Sequence, residues 1–144
     1  MTTIENLLEA KGGRVYQIGP SASIAAAARE FIAHGVSSLV VAQQGRIVGL
    51  FTKNDLTRCC AERAGSLEET KVSEYMKEDV FTTTPAADLD EVVRTMIREG
   101  FHHVPVSEGG KPMGMITYGD ILASERRRLQ DEEQDLIEYI QGSH

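Results

Sequence analysis

At 144 residues the chain has the length of one compact domain, and its 41% apolar and 26% charged residues are ordinary for a globular protein in water. A formal charge of −7 argues against a broad nucleic-acid-binding surface, whose field should be basic, yet leaves room for a small anion held by a few local donors. No apolar run approaches a membrane span, and Glu5 and Glu9 stand where a signal segment would be basic and then apolar, so a cytoplasmic location is expected.

Ile4, Leu7 and Leu8 predict a short helical lead-in ended by Gly12-Gly13. Arg14 to Ile18 reads as a brief strand stopped by Gly19-Pro20. Ser23 is the expected N-cap of a helix whose apolar face is Ile24, Ala27, Ala28, Phe31 and Ile32, and Gly35 closes it. Ser38 to Ala42 and Arg46 to Phe51 are β-rich runs around Gln43-Gln44-Gly45, which predicts a hairpin. Thr52 then begins a helix reaching about Arg63, and residues 65–71 read as a linker.

Val72 to Met76 mirrors the lead-in, and Val80 to Thr83 mirrors the first strand, with Pro85 as its stop. Asp88, in a capping-box pattern with Glu91, starts a helix with the face Leu89, Val92, Val93, Met96 and Ile97. Phe101 to Ser107 and Pro112 to Thr117 make a second hairpin around Glu108-Gly109-Gly110. Its prolines Pro105 and Pro112 are tolerable only at an edge, a bulge or a strand start. A charged helix from Ser124 to Ile140 follows, with Leu122, Leu129 and Leu136 at seven-residue spacing and Ile140 one turn further.

The second half thus repeats the first, at a constant offset of 65 residues: Val15 falls on Val80, Pro20 on Pro85, Gly35 on Gly100, Val41 on Val106 and Gly45 on Gly110. The expected fold is α/β (α+β), two pseudo-symmetric β-α-β-β-α units packed into one body. Residues 1–64 form the first unit with its lead-in, 72–123 the second, and 124–144 a helical tail. Each unit alone is too small to bury a full core, so the two should pack together and create a related pair of clefts.

The repeat ends in Gly49-Leu50-Phe51-Thr52-Lys53-Asn54-Asp55 and again in Gly114-Met115-Ile116-Thr117-Tyr118-Gly119-Asp120. An ionised Asp55 or Asp120 is acceptor-only and can take both hydroxyl protons of a ribose diol, while the helix start beside it offers free N–H groups to a phosphate. Thr52 and Thr117 add a hydroxyl. The same spacing also makes a capping-box analogue, with Thr as N-cap and Asp three residues on. His102 and His103 are titratable near neutrality and form a second signal, although alternation along a strand would turn one of them inward. Lys53, Arg46 and Lys111 lie near these motifs, where single cations are most often solvated.

Gly100-Phe101-His102-His103-Val104-Pro105-Val106 before the turn and the Gly-h-h-Thr-x-x-Asp motif after it resemble the cystathionine β-synthase (CBS) domain, and the tandem resembles the CBS pair or Bateman module, over about residues 5 to 125. The first half is looser, with Val40 where the family often has proline, and the ending from Leu136 to Gly142 resembles the tail of small stand-alone CBS-pair proteins of bacteria and plants. The resemblance implies a regulatory module for signal transduction, with no chemistry of its own. Its inter-repeat cleft would bind an adenosyl compound such as AMP, ADP, ATP, S-adenosylmethionine or NADH. It also implies that Tyr16 to Ile18 and Phe81 to Thr83 lie along the adenine, and that phosphate donors of one repeat serve the Thr-x-x-Asp of the other. Thr52 and Asp55 would then join His102 and His103, and Thr117 and Asp120 would join the neutral Ser37 and Ser38, in a cleft suited to a ligand with less phosphate. Family modules pair into flat dimers, so the leucine stripe of the tail is expected on a second subunit, with any regulated partner a separate chain.

Cys59 and Cys60 are adjacent, without C-x-x-C or metal spacing, and are expected to be reduced helix residues rather than a redox switch. No nucleophile–base set, metal spacing or phosphate loop is present, so no catalytic residue or metal is assigned. The alternative to a ligand sensor is an interaction scaffold in which the Thr-x-x-Asp segments only cap helices.

Overall fold

The computed structural model describes residues 1–12 and 14–142; the expected stop at Gly13 and the terminal Ser143 and His144 lie outside the described residues. The first unit has α1 (Ile4–Lys11), β1 (Gln17–Ile18), α2 (Ile24–His34), β2 (Ser38–Gln43), β3 (Arg46–Thr52) and α3 (Lys53–Glu62). A 3-10 turn at Val72–Glu74 leads to α4 (Leu89–Glu99), β4 (His103–Glu108), β5 (Lys111–Thr117) and α5 (Tyr118–Gly142). Among the described residues no helix is long and apolar enough to cross a membrane.

Local chemistry sets these bounds. Ser23 accepts from the N–H of Ala26 at the start of α2, and Gly35 ends it in the left-handed region at φ 63°. Asp88 accepts from the N–H of Asp90 at 3.4 Å at the start of α4, and Gly100 ends that helix in the same way at φ 73°. Both hairpins turn through two residues of positive φ, Gln44 and Gly45 in one and Gly109 and Gly110 in the other, the geometry that suits the right-handed twist of paired strands. Both also slip register at the same place, after Val41 and after Val106.

The first strands depart from expectation. The run from Arg14 to Ile18 narrows to two residues, which pair parallel to β2. The expected strand from Val80 to Thr83 does not form; only an isolated parallel bridge from Thr83 to Val106 remains. Proline is the reason. In the first unit the N–H of Val40 donates to the Tyr16 carbonyl at 3.0 Å, and the equivalent residue of the second unit is Pro105, which has no N–H to give. Sheet order is therefore β1-β2-β3 in one unit and β4-β5 in the other.

Three apolar clusters hold the body together. One packs Ile24, Phe31, Leu39 and Phe51 of the first unit, a second packs Leu89, Met96, Val104 and Ile116, and a third joins Val40 and Leu50 to Met115 between units. The lead-ins are exchanged: Ile4 and Leu7 of α1 lie in the second unit's core, and Val72 and Tyr75 lie in the first unit's. Ile32 and Ile97, placed on the apolar faces by spacing, are instead 84% and 70% exposed. Each sits eight residues after the first residue of its stripe, about 80° round the helix and so at its margin. The tail is not a separate helix. It continues the helix begun at Tyr118 for 25 residues, with none of them buried and Leu122, Leu129, Leu136 and Ile140 exposed.

Candidate functional site

Each Thr-x-x-Asp motif lies where the last strand of its unit passes into a helix, and the glycine that opens the motif makes room for a crossing segment. A Cβ at Gly49 would stand 2.6 Å from Met76 Sδ and 2.9 Å from the Lys77 carbonyl, and one at Gly114 would stand 2.7 Å from Leu8 Cδ2. The segment over Gly49 is bonded to the strand by Leu50 N–H to the Lys77 carbonyl and Lys77 N–H to the Leu50 carbonyl, both 2.9 Å. Those crossing segments bring a lysine to each aspartate.

At the first motif Asp55 is fully buried. Its Oδ2 accepts from the Thr52 N–H at 2.9 Å and the Thr52 hydroxyl at 3.0 Å, and the Lys77 ammonium donates to Oδ1 at 3.0 Å and Oδ2 at 3.1 Å. Arg58 stands 3.5 Å from Oδ1. At the second motif Asp120 Oδ2 accepts from the Thr117 N–H at 2.9 Å and from Lys11 at 2.6 Å, while Thr117 Oγ1 accepts from the Asp120 N–H at 3.2 Å. Both motifs therefore cap their helices, and both carry a cation from the segment preceding the other unit's first strand.

Two clefts open beside them. One, of about 310 Å³, is lined by Thr52, Lys53, Asn54 and Lys77 from one side and by Phe101, His102 and His103 from the other, with Ser37 at its edge. The second, of about 290 Å³, joins Thr117 and Asp120 to Ser37, Ser38, Tyr16, Lys11 and Arg14. The linings bring Thr52 together with His102 and His103, and Thr117 and Asp120 together with Ser37 and Ser38, whereas Asp55 does not line the first cleft. Ser37 Oγ and His103 Nε2 share a hydrogen bond of 2.9 Å, tying the two units together between the clefts. His102 precedes β4, so strand alternation does not turn either histidine away; His102 is exposed, with its ring 4.5 Å from that of Tyr118. Burial holds the His103 imidazole below the ordinary histidine range, helped by His102 and Lys77 and opposed by Asp120.

The first-strand positions are divided. Tyr16 faces the second cleft, its ring stacked on His34 at 3.9 Å, whereas Ile18 packs on the first core. Phe81 packs on the second core with its ring 5.6 Å from that of Phe101, and Thr83 is buried with its backbone bonded to Pro105 and Ser107. Neither Ile18, Phe81 nor Thr83 lines the two clefts. Lys53 reaches the first cleft, and Arg46 lies over Gly110 instead. Lys11, Arg14 and Lys77 were not legible as site residues, because they lie outside both motifs and off the 65-residue offset; a cation shortly before each first strand is the one sequence trace of them. Cys59 is buried, and burial pushes its thiol up in pKa, with the neighbouring Cys60 adding to the shift; Cys60 is exposed.

The CBS domain family matches this chain twice, over residues 14–62 and 72–126. An uncharacterised 17.7 kDa protein of Acidianus ambivalens is 32% identical over 75% of this chain, which spans 65% of that relative's length. The crystal structure of a CBS-domain-containing protein from Agrobacterium tumefaciens superposes with a TM-score of 0.80 at 32% identity, covering 86% of this chain and 99% of that one. The CBS domain pair of protein MJ0100, solved in complex with 5′-methylthioadenosine and S-adenosyl-L-methionine, shares the fold at a TM-score of 0.80 and 22% identity, over 89% of this chain and 98% of the other.

Proposed function

This chain belongs to the CBS domain family as a tandem pair, and on that premise we propose that it is a regulatory module binding an adenine nucleotide or related adenosyl ligand between its repeats. The observation that carries the reading is that each cleft joins a Thr-x-x-Asp turn of one unit to polar residues of the other. A diol on the aspartate and an anionic tail near Lys53, His102 and His103, or near Lys11 and Arg14, would bridge the units. The adenosyl ligands of the MJ0100 pair support the ligand class. Occupancy regulates a separate partner chain, without catalysis, only if the ligand favours one of two arrangements of the units. The module acts in the cytoplasm as a homodimer, for which the exposed Ile32, Ile97 and α5 leucines supply apolar surface.

A thermal-shift titration with AMP, ADP, ATP, S-adenosylmethionine and NADH tests this. At a hundredfold excess over Kd a ligand specific to the folded state adds about 2.7 kcal/mol, a readily visible shift. No shift with any member at millimolar concentration would sink the reading. It would favour a ligand-free scaffold, to which the helix-start bonds that Asp55 and Asp120 accept from Thr52 and Thr117 already lend support.

A further inference from the structure

The two clefts share a plan but stand in different states. In the second, the Lys11 ammonium and the Thr117 N–H both take Oδ2 of Asp120, and among the described residues nothing donates to Oδ1. Thr117 Oγ1 receives the Asp120 N–H, so its own proton is left for another acceptor. Asp120 forms part of the cleft wall, with 19% of its side chain exposed. A diol meeting this corner finds a free acceptor and a free donor.

In the first cleft both are already used. Thr52 gives its hydroxyl proton to Asp55, and Lys77 reaches both oxygens. Arg58 adds a second cation at 3.5 Å. Three of these bonds fall on Oδ2, and Oδ1 takes the Lys77 ammonium and faces Arg58, so neither oxygen is left without a donor as Oδ1 of Asp120 is. The Asp55 side chain is only 1% exposed, and the cleft wall in front of it is made by Thr52 and Lys77.

We propose that the clefts are unequal: the Asp120 cleft receives a ligand carrying a vicinal diol and an anionic group, and the Asp55 cleft is barred by Lys77. Lys77 must leave the carboxylate before a diol can reach it. This rests on the adenosyl reading above and names its receptive site. It also departs from the expectation that the serine-lined cleft suits a ligand with less phosphate, which counted the histidine pair but not the cations arriving from the lead-in segments. Arg14 gives the Asp120 cleft a cation that Ser37 and Ser38 lack, while the Lys11 ammonium is held between Asp120 Oδ2 and the Met115 carbonyl.

The test is calorimetric titration of AMP, with S-adenosylmethionine in parallel, into the full chain and the variants Asp120→Asn, Asp55→Asn, Lys77→Met and Lys77→Arg. Asparagine keeps a side-chain oxygen that can accept the N–H of Thr52 or Thr117, so the aspartate variants retain that bond at the helix start. Wild type should bind one equivalent per chain, weakened at least tenfold by Asp120→Asn and less than twofold by Asp55→Asn. Lys77→Met should gain a second equivalent, while Lys77→Arg, which keeps the charge on Asp55, should remain at one. If Lys77→Met fails to fold, Lys77→Gln carries the same expectation. Loss of wild-type binding in Asp55→Asn rather than Asp120→Asn, or one equivalent throughout the Lys77 series, overturns the proposal. Two equivalents in wild type overturn it as well. Binding of neither probe to any form overturns the adenosyl reading, and the proposal with it.

Discussion

Gly49 and Gly114 occupy equivalent positions, yet alanine should behave differently at each. At Gly49 the new methyl would meet the Met76 thioether at 2.6 Å and the Lys77 carbonyl at 2.9 Å. The thioether can rotate away. The carbonyl cannot, because it is held in a reciprocal pair of 2.9 Å bonds with Leu50. Overpacking of this kind costs about 1–3 kcal/mol, and stretching one backbone bond adds about 0.5–1.5. The loss of chain entropy in the unfolded state offsets about 0.4–1 kcal/mol of this. A net destabilisation of about 2 kcal/mol follows, equivalent to a fall in Tm of about 4–8 °C for a chain this long. At Gly114 the three nearest atoms all belong to the Leu8 side chain, at 2.7, 3.2 and 3.5 Å, so a rotamer change relieves the contact and the net effect should stay within about 0.5 kcal/mol. Urea denaturation of both variants measures the difference. If Gly114→Ala is as costly as Gly49→Ala, the close backbone crossing is not what the first glycine serves.

The His103 imidazole is held below its ordinary range, so the unfolded chain takes up a proton before the folded one does as pH falls. Stability should therefore decline on acidification through and below about pH 6.5, and His103→Gln should decline less; parallel slopes between pH 7.5 and 5.5 would refute this. Iodoacetamide should modify Cys60 in the folded protein and reach Cys59 only in denaturant, as mass spectrometry of the peptides would reveal; equal labelling would contradict the buried thiol. Pro105→Val should restore an amide that donates to the Phe81 carbonyl and slow hydrogen exchange at that amide and at Thr83. Exchange at the rate of a free amide would mean that proline is not what keeps the strand from forming. Leu129→Glu with Leu136→Glu should convert the proposed dimer to monomer in light scattering while circular dichroism shows the chain still folded, since neither leucine is buried within it; an unchanged mass would remove α5 from the interface.

Much of this molecule was legible in local chemistry. Ser23 and Gly35 bound their helix as expected, and the glycine turns gave both hairpins, because caps and positive φ are decided within a few residues. The cross-unit pairing of Thr52 with His102 and of Thr117 with Ser38 followed from the family resemblance, and the cleft linings agree with it. What local pattern could not supply was contact between distant segments. Lys11 reaches Asp120 across 109 positions, and nothing in the Thr-x-x-Asp spacing announces it. The missing strand before Pro85 was hidden for a similar reason: the deciding group is the absent N–H of Pro105, on a neighbouring strand. The burial of Ile32 and Ile97 was overestimated because periodicity marks a stripe without marking its edge.

The exchanged lead-ins bear on how such a body can be assembled. A fragment ending at residue 64 would lack Val72 and Tyr75 from its core, and one beginning at residue 72 would lack Ile4 and Leu7. Neither piece is complete by itself, and each carries what the other is missing. As separate chains they would have to meet by diffusion. The short connection of residues 65–71 makes that meeting intramolecular, at an effective concentration on the order of millimolar. A protease cut in this connection should therefore leave two fragments that stay associated until diluted, with the clefts held at their seam.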